Sequence, residues 1–204
     1  MDAKVNILID GGFFSQKFKE RTGKFPNADD VKKEIKTIMT ETQKKTGNDC
    51  KDILFRVYYY DCKPYGGKVA KPGETSETDF SKTKIYSRKT SFFKELAQKE
   101  CFAVRLGELS FDGWKEDKTT DPVTGKTIIN YFPKLKQKGV DMKVGLDMAL
   151  MALKHTVDKV VLVAGDSDFI EPIKFVRDEG LQVYLYAMSH KVKGELIEQC
   201  DFVI

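Results

Sequence analysis

An apolar segment that ends in two acidic residues constrains the fold of this chain more than any other part of the sequence. Residues 160–169 read Val-Val-Leu-Val-Ala-Gly-Asp-Ser-Asp-Phe, and residues 159–164 show almost no alternation of apolar and polar side chains. Such a strand is typical of a parallel sheet that helices cover on both faces. In these sheets ligands bind at the carboxyl ends of the strands. The sequence therefore places Asp166 and Asp168 at a binding edge, where a shared cation would relieve the repulsion between their charges.

Strand and helix patterns alternate along the whole chain, beginning with a strand at 4–9. That alternation, without an internal repeat or a low-complexity linker, predicts an α/β fold with a doubly wound, mainly parallel sheet in a single domain over residues 1–204. Two segments interrupt the pattern. Residues 62–84 are rich in Gly and Pro and predict a long loop, and residues 111–132, with a turn signal at 121–125, predict an inserted β-hairpin.

A helix predicted from Pro133 to about His155 is the most apolar of the chain. Its apolar residues occur almost all round the helix, which is typical of a deeply buried helix. It carries Asp141 in its first turn and Asp147 six residues later, about 120° away around an ideal helix. The two acids need not share one ligand, and Asp147 either points back toward the site or pairs with a lysine.

Composition narrows the classes of protein that fit. A hydrophobic share of 41% and a charged share of 32% describe a folded globule rather than a disordered chain. The sequence shows no signal-peptide pattern and no apolar run of the ~20 residues that a membrane helix needs, so we expect a cytoplasmic protein with no membrane partner. Four scattered cysteines and two histidines argue against a zinc site and a disulfide scaffold. A net charge of +4 permits nucleic acid as a partner without requiring it.

Four aspartates from three separate segments are the candidate catalytic and metal-binding residues: Asp10, Asp141, Asp166 and Asp168. Each lies where a strand ends or a helix begins, and these places share one edge of a parallel sheet, so we expect the four to meet. Carboxylates without histidine or cysteine select a hard cation, Mg²⁺ or Mn²⁺. Two such ions can activate a water and stabilise the leaving oxygen in phosphodiester cleavage. Asp10 alone also fits a helix cap.

Basic and aromatic residues near these acids are candidate RNA contacts. Four lysines surround Asp141 and either neutralise backbone phosphates or form a solvated basic face: Lys134, Lys136, Lys138 and Lys143. Phe13 follows Asp10 and either packs a short helix onto the sheet or stacks on a base. Ser167, between the two acids of the opening segment, is a further candidate contact. We also expect Ser167 and Asp168 to cap the helix that follows.

Three stretches carry a resemblance to a known family: Ile7-Leu-Ile-Asp10-Gly-Gly-Phe, Lys138-Gly-Val-Asp141-Met-Lys-Val-Gly-Leu-Asp147 and Ala164-Gly-Asp166-Ser-Asp168-Phe. Together with the tail Cys200-Asp201-Phe-Val-Ile, they resemble the NYN domain, a branch of the PIN-like nucleases. The resemblance implies a three-layer α/β/α, PIN-like fold. It also implies a metal-dependent ribonuclease site made of the four aspartates, with Asp147 as a further acid.

Three functions stay open on the sequence. The first is an endoribonuclease that acts on single-stranded or structured RNA. The second is a phosphohydrolase of the haloacid-dehalogenase type, because Gly165-Asp-Ser167 resembles its last motif. That chemistry needs a second aspartate two residues after a nucleophilic one, and position 12 is Gly, which counts against it. The third is a non-catalytic module that binds RNA or protein. The oligomeric state is also open, with a homodimer among the alternatives.

Overall fold

The computed structural model describes residues 2–47, 50–120 and 125–204. Its helices and strands alternate along the chain. In order they are β1 (Asp2–Asp10), α1 (Gly11–Thr22), α2 (Ala28–Thr46), β2 (Lys51–Cys62), β3 (Lys68–Ala70), β4 (Glu77–Asp79), α3 (Lys84–Ala97), β5 (Phe102–Thr120), β6 (Thr127–Lys138), α4 (Val140–Leu153), β7 (Lys159–Val163), α5 (Ile170–Asp178), β8 (Gln182–Leu185), α6 (Gly194–Glu198) and β9 (Phe202–Val203). None of the helices in these ranges is both long and apolar enough to cross a membrane.

Seven strands of the described residues form one sheet in the order β6-β5-β2-β1-β7-β8-β9. Neighbouring strands run parallel except β5 and β6, which are antiparallel. The central strands β1 and β7 are buried on both faces, which explains why their sequences hardly alternate. The predicted α/β fold with a mainly parallel sheet is therefore confirmed.

Helices cover the sheet on both faces and produce two hydrophobic cores. Residues Val5, Ile7 and Ile9 of β1 face a core that includes side chains of α1, α2 and α3. Leu8, which points the other way, belongs to the core that α4, α5 and α6 complete. Since alternate residues of a strand point to opposite faces, this division establishes a three-layer α/β/α arrangement.

β5 is long because its second half leaves the main sheet. Residues 102–107 pair in parallel with β2, and from Glu108 onward β5 pairs with β6 instead. We call the hairpin of residues 108–138 the arm. It carries the chain past the ends of the parallel strands and back again. Gly139, in the left-handed region with φ 75°, then turns the chain into α4.

The arm extends further than the predicted hairpin at 111–132, and the predicted helix start at Pro133 is wrong. Residues 133–138 continue β6, where Pro133 lies opposite Trp114. β6 is an edge strand, so a proline without an N–H group is tolerated there. The alternation of lysine and other side chains in this segment has the period of a strand. Of the turn predicted at 121–125, all but the last residue lies outside the described residues.

The loop predicted at 62–84 packs against the base of the arm. It contains β3 and β4, which form a small antiparallel sheet of their own. The indole N–H of Trp114 donates to the carbonyl of Ala70 at 2.9 Å. Four rings from the two segments pair with centroid distances from 5.5 to 6.2 Å: Tyr65, Phe80, Phe111 and Trp114. The two insertions therefore form one unit beside the main sheet.

The expectation that α4 is deeply buried is wrong for half of its surface. Val144 and Met148 pack against the sheet, but the apolar residues on the opposite side are exposed. The reason is the layer arrangement: α4 belongs to an outer layer, so only one stripe of the helix reaches the sheet.

Candidate active site

Asp10 ends β1 at the carboxyl edge of the sheet, the edge where the parallel strands finish. Its Oδ1 accepts hydrogen bonds from the backbone N–H of Gly12 at 2.9 Å and of Phe13 at 3.1 Å, so it caps α1. Burial raises the pKa of this carboxyl, the two N–H bonds oppose the rise, and the charges of Asp141 and Asp61 add to it. Asp10 is therefore both a helix cap and part of a group of acids.

Gly11 lets the chain enter α1 directly from β1. A Cβ on Gly11 would lie 2.5 Å from the Tyr59 ring and 2.6 Å from the carbonyl oxygen of Tyr60, closer than real contacts allow. A side chain there would have to displace β2 or α1. The glycine thus holds the first turn of α1 against β2 and keeps the Asp10 carboxylate at the carboxyl edge.

Asp166 and Asp168 follow β7 in a short 3-10 turn. The Asp166 Oδ1 accepts from the backbone N–H of Asp168 at 3.1 Å, and the buried Phe169 anchors the turn. Asp166 caps this turn, whereas α5 begins after Phe169 without a side-chain cap, so the expected cap of α5 by Ser167 and Asp168 is wrong. Both acids are exposed at the carboxyl edge.

The Asp141 carboxylate interacts electrostatically with Asp10 and with the pair Asp166 and Asp168. It lies exposed in the first turn of α4. Burial raises the pKa of its carboxyl, and the charges of Asp166 and Asp168 raise it further. Because Asp141 in turn raises the pKa of Asp10, all four predicted aspartates lie within one electrostatic neighbourhood.

The carboxylate oxygens of these four aspartates are suitable ligands for a hard cation, but the side chains do not form a complete metal cage. Across residues 2–47, 50–120 and 125–204, no three or more His, Cys, Asp or Glu side chains are arranged to hold a metal ion. Mg²⁺ usually keeps several waters and takes one or two carboxylates together with substrate phosphates, so it does not need a complete protein cage. None of the four aspartates forms an ion pair with a basic side chain of the described residues. Their excess negative charge is available to a cation.

Asp147 pairs with side chains of the sheet. Its Oδ2 accepts from the Tyr60 hydroxyl at 2.8 Å and from the Arg105 Nε at 3.3 Å. Arg105 also lies over the Tyr58 ring, 5.5 Å from its centroid. The sequence left open a lysine partner or a place in the site. The structure gives Asp147 an arginine and a tyrosine instead, because both β2 and β5 pass beneath α4.

Asp61, which sequence reasoning did not place in the site, is buried at the end of β2. Both of its oxygens accept from the Lys89 ammonium at 3.0 Å, and one accepts from the backbone N–H of Cys62. Its charge contributes to the raised pKa of Asp10. Its position at a strand end, like that of Asp10, was a signal in the sequence. The lysine partner from α3 was not.

Phe13 and His190 close over the turn after β7. A Cβ on Gly165 would lie 2.5 Å from the Phe13 ring and 3.3 Å from His190 Cδ2. The two rings meet edge to face with centroids 5.9 Å apart. The predicted contact residue Phe13 therefore does lie beside Asp166. Sequence reasoning did not place His190 at this site.

The four candidate lysines divide into two pairs. Lys134 and Lys136 both contact the Asp112 carboxylate, at 2.9 and 3.0 Å, and hold the pKa of that carboxyl below its usual range. Lys138 and Lys143 form no ion pair within the described residues. The arm also brings an amide to the site, since Gln137 Nε2 would lie 3.7 Å from a Cβ on Gly12.

Comparison with known proteins agrees with this architecture. The NYN domain family model matches residues 75–204. A crystal structure of a protein of unknown function from Vibrio parahaemolyticus is similar at a TM-score of 0.51 and 15% identity, covering 99% of this chain and 91% of that one. At that identity the similarity concerns the fold alone. No curated protein matches this chain. Because the family match spans more than half of the chain, this protein belongs to the NYN domain family, within the PIN-like superfamily.

Proposed function

We propose that this protein is a metal-dependent endoribonuclease that cleaves RNA phosphodiester bonds. One observation carries the proposal: at the carboxyl edge, burial and the charge of Asp141 raise the pKa of Asp10, burial and the charges of Asp166 and Asp168 raise the pKa of Asp141, and none of the four pairs with a basic side chain of the described residues. Keeping such repulsion is costly for the fold, and perturbed acids of this kind cluster at functional sites. Membership of a family with a nuclease-like fold supports the reaction class.

The four acids would hold Mg²⁺ or Mn²⁺, which supplies a more acidic water and stabilises charge on the leaving oxygen. Asp10 accepts the hydrogen bonds from Gly12 and Phe13 with Oδ1, and Asp166 likewise uses Oδ1 to cap its turn. Each of these carboxylates therefore keeps Oδ2 for another ligand. The caps fix the side chains, so the orientation of the remaining oxygen is set before a cation arrives.

Residues around the acids would position the RNA. Lys138 and Lys143 lie on either side of Asp141 in the sequence and are the lysines that Asp112 does not engage. They are suited to bind the phosphates next to the cut. Lys134 and Lys136 share one carboxylate and would contribute less. Phe13 offers a half-buried ring for a base, and Ser167 offers a hydroxyl between the two acids.

Cleavage of end-labelled RNA in the presence of Mn²⁺ tests this function. We expect the wild type to cut internal bonds, and Asp141→Asn to lose more than the roughly 10–100-fold that removal of an outer-shell partner costs. Glu171→Gln removes an exposed acid from the neighbouring helix α5 and serves as the matched control, with unchanged cleavage. A wild type that binds RNA without cutting it would support a non-catalytic module. Hydrolysis of small phosphomonoesters in place of RNA would support a phosphohydrolase.

A further inference from the structure

α4 carries a second apolar stripe on the side that faces away from the sheet. Its members are spaced by four, four and three residues, so they line up along one face of the helix. The exposed fractions are 79% for Met142, 59% for Leu146, 41% for Leu150 and 55% for Leu153. The core residues Val144, Met148 and Met151 occupy the opposite face. A helix at the surface of a monomer normally needs only the inner stripe.

α5 packs beside α4 and carries a further exposed apolar residue. The two helices are in close contact, since a Cβ on Gly145 would lie 3.2 Å from Pro172 Cγ. Phe175 follows Pro172 by three residues on α5 and is 41% exposed. At about 200 Å² for a full side chain of this size, the five residues together expose roughly 550 Å². That value lies near the top of the ~300–600 Å² range for the largest patch on a monomer.

We propose that a second copy of this chain covers the stripe, with the two α4 helices packed antiparallel across a two-fold axis. Two copies would bury about 1,100 Å², which passes the ~1,000 Å² expected of a specific interface. The spacing of the stripe matches the side-chain rows that interdigitate between paired helices, and an identical helix presents the same rows. A two-fold contact of this kind is self-complementary and closed.

The charges beside the stripe favour a protein surface over a membrane. Lys143 lies on α4, and the exposed pair of Glu171 and Lys174 on α5 carries both signs. A helix that binds a membrane surface has a predominantly basic polar face instead. The antiparallel arrangement also places the positive end of one helix dipole beside the negative end of the other.

Antiparallel packing makes a specific prediction about which residues meet. In a pair of helices related by a two-fold axis at the middle of the stripe, Leu146 lies opposite Leu150 of the second copy. Met142 lies opposite Leu153 in the same way. Since Met142 adjoins Asp141, the interface would hold the first turn of α4 and hence one acid of the site. The proposed contact changes the mass of the assembly, which can be measured independently of RNA cleavage.

Sedimentation velocity over a concentration series tests the interface on the full chain. We expect the wild type to sediment as a dimer, at twice the 23.3 kDa of the chain. Leu146→Lys should sediment as a monomer with an unchanged circular dichroism spectrum, because position 146 is exposed in the single chain. The matched control Ile128→Lys changes a residue of the arm with 45% exposure and should stay dimeric.

A pair of opposite charges tests whether the two α4 helices pack antiparallel. The double variant Leu146→Lys with Leu150→Glu places opposite charges across the antiparallel interface and should recover the dimer that Leu146→Lys loses. In a parallel pair it would bring like charges together and stay monomeric, which would overturn the antiparallel arrangement. A wild type that is monomeric at every concentration, or a Leu146→Lys variant that is still dimeric, would overturn the proposal itself.

Discussion

Asp52 and Asp10 lie at opposite edges of the same sheet, and the chain treats their charges differently. At the amino edge, the buried Asp52 contacts the Lys159 ammonium at 2.7 Å, and Thr46 donates a further hydrogen bond. At the carboxyl edge, burial and the charge of Asp141 raise the pKa of Asp10, while burial and the charges of Asp166 and Asp168 raise that of Asp141, and the described residues supply no basic partner. An acid that the fold needs for structure receives a cation from the chain. An acid without one is available to an external cation.

Asp61 shows that the carboxyl edge does not exclude an internal cation. It ends β2 next to Asp10, yet Lys89 of α3 reaches both of its oxygens. A lysine can therefore be placed at this edge, yet among residues 2–47, 50–120 and 125–204 none pairs with the four aspartates. Substitutions at the two edges should therefore change the free energy of unfolding with opposite signs and by different amounts.

The largest effect is expected at the amino edge. Lys159→Met leaves Asp52 buried without its cation, and removal of one partner of a buried pair costs about 3–5 kcal/mol. Urea unfolding followed by circular dichroism measures this loss. Lys174→Met, which removes a lysine from an exposed pair on α5, is the control and should change the free energy of unfolding little. Equal losses in the two variants would contradict the structural role of the amino-edge pair.

At the carboxyl edge, a substitution is expected to increase the free energy of unfolding instead of lowering it. Asp168→Asn relieves repulsion and should stabilise the metal-free protein by about 0.5 kcal/mol, a small gain because the side chain is exposed. It should also reduce the rise in melting temperature on adding Mn²⁺, which corresponds to a stabilisation of about 2.7 kcal/mol at a metal concentration 100 times the dissociation constant. Differential scanning fluorimetry with and without Mn²⁺ measures both. Equal metal shifts in wild type and variant would show that Asp168 does not contribute to the site.

The features of the molecule differ in how far the sequence reveals them. Asp10, Asp166 and the strands before them could be predicted because a buried parallel strand and the acid at its end are local patterns. The partner of Asp147 could not, since Arg105 reaches it from β5, a distant part of the chain. His190 was missed for the same reason. The exposed stripe of α4 could not be predicted, because the sequence of an apolar helix does not indicate which side packs against the sheet.

A smaller effect is expected on the pH dependence of stability. The pKa of Asp10 is raised above its ordinary value of 3.8, so the folded chain keeps this proton at pH values where the unfolded chain has lost it. In metal-free buffer the resulting penalty is absent below the unfolded pKa and develops as pH rises through the raised one. Asp10→Asn keeps a capping oxygen and removes the titration. Its stability relative to wild type should therefore increase with pH across that window, and a constant difference would contradict the raised pKa.

The smallest effect separates the lysines of the arm. Lys138→Ala should lower the slope of log affinity against log salt for single-stranded RNA by about 0.7, the value for one phosphate contact. Lys136→Ala should lower it by less, because Lys136 shares the Asp112 carboxylate with Lys134. Fluorescence anisotropy at several salt concentrations measures both slopes. A larger change for Lys136 would place the RNA along the outer part of the arm instead.

Anomalous diffraction from crystals grown with Mn²⁺ tests most directly the claim that the four aspartates await an external cation. We predict a manganese peak at the carboxyl edge, with oxygens of Asp141 and of at least one of Asp10, Asp166 and Asp168 as ligands, and no peak at the Asp52–Lys159 pair. Manganese bound elsewhere on the molecule, with none among the four aspartates, would contradict the claim.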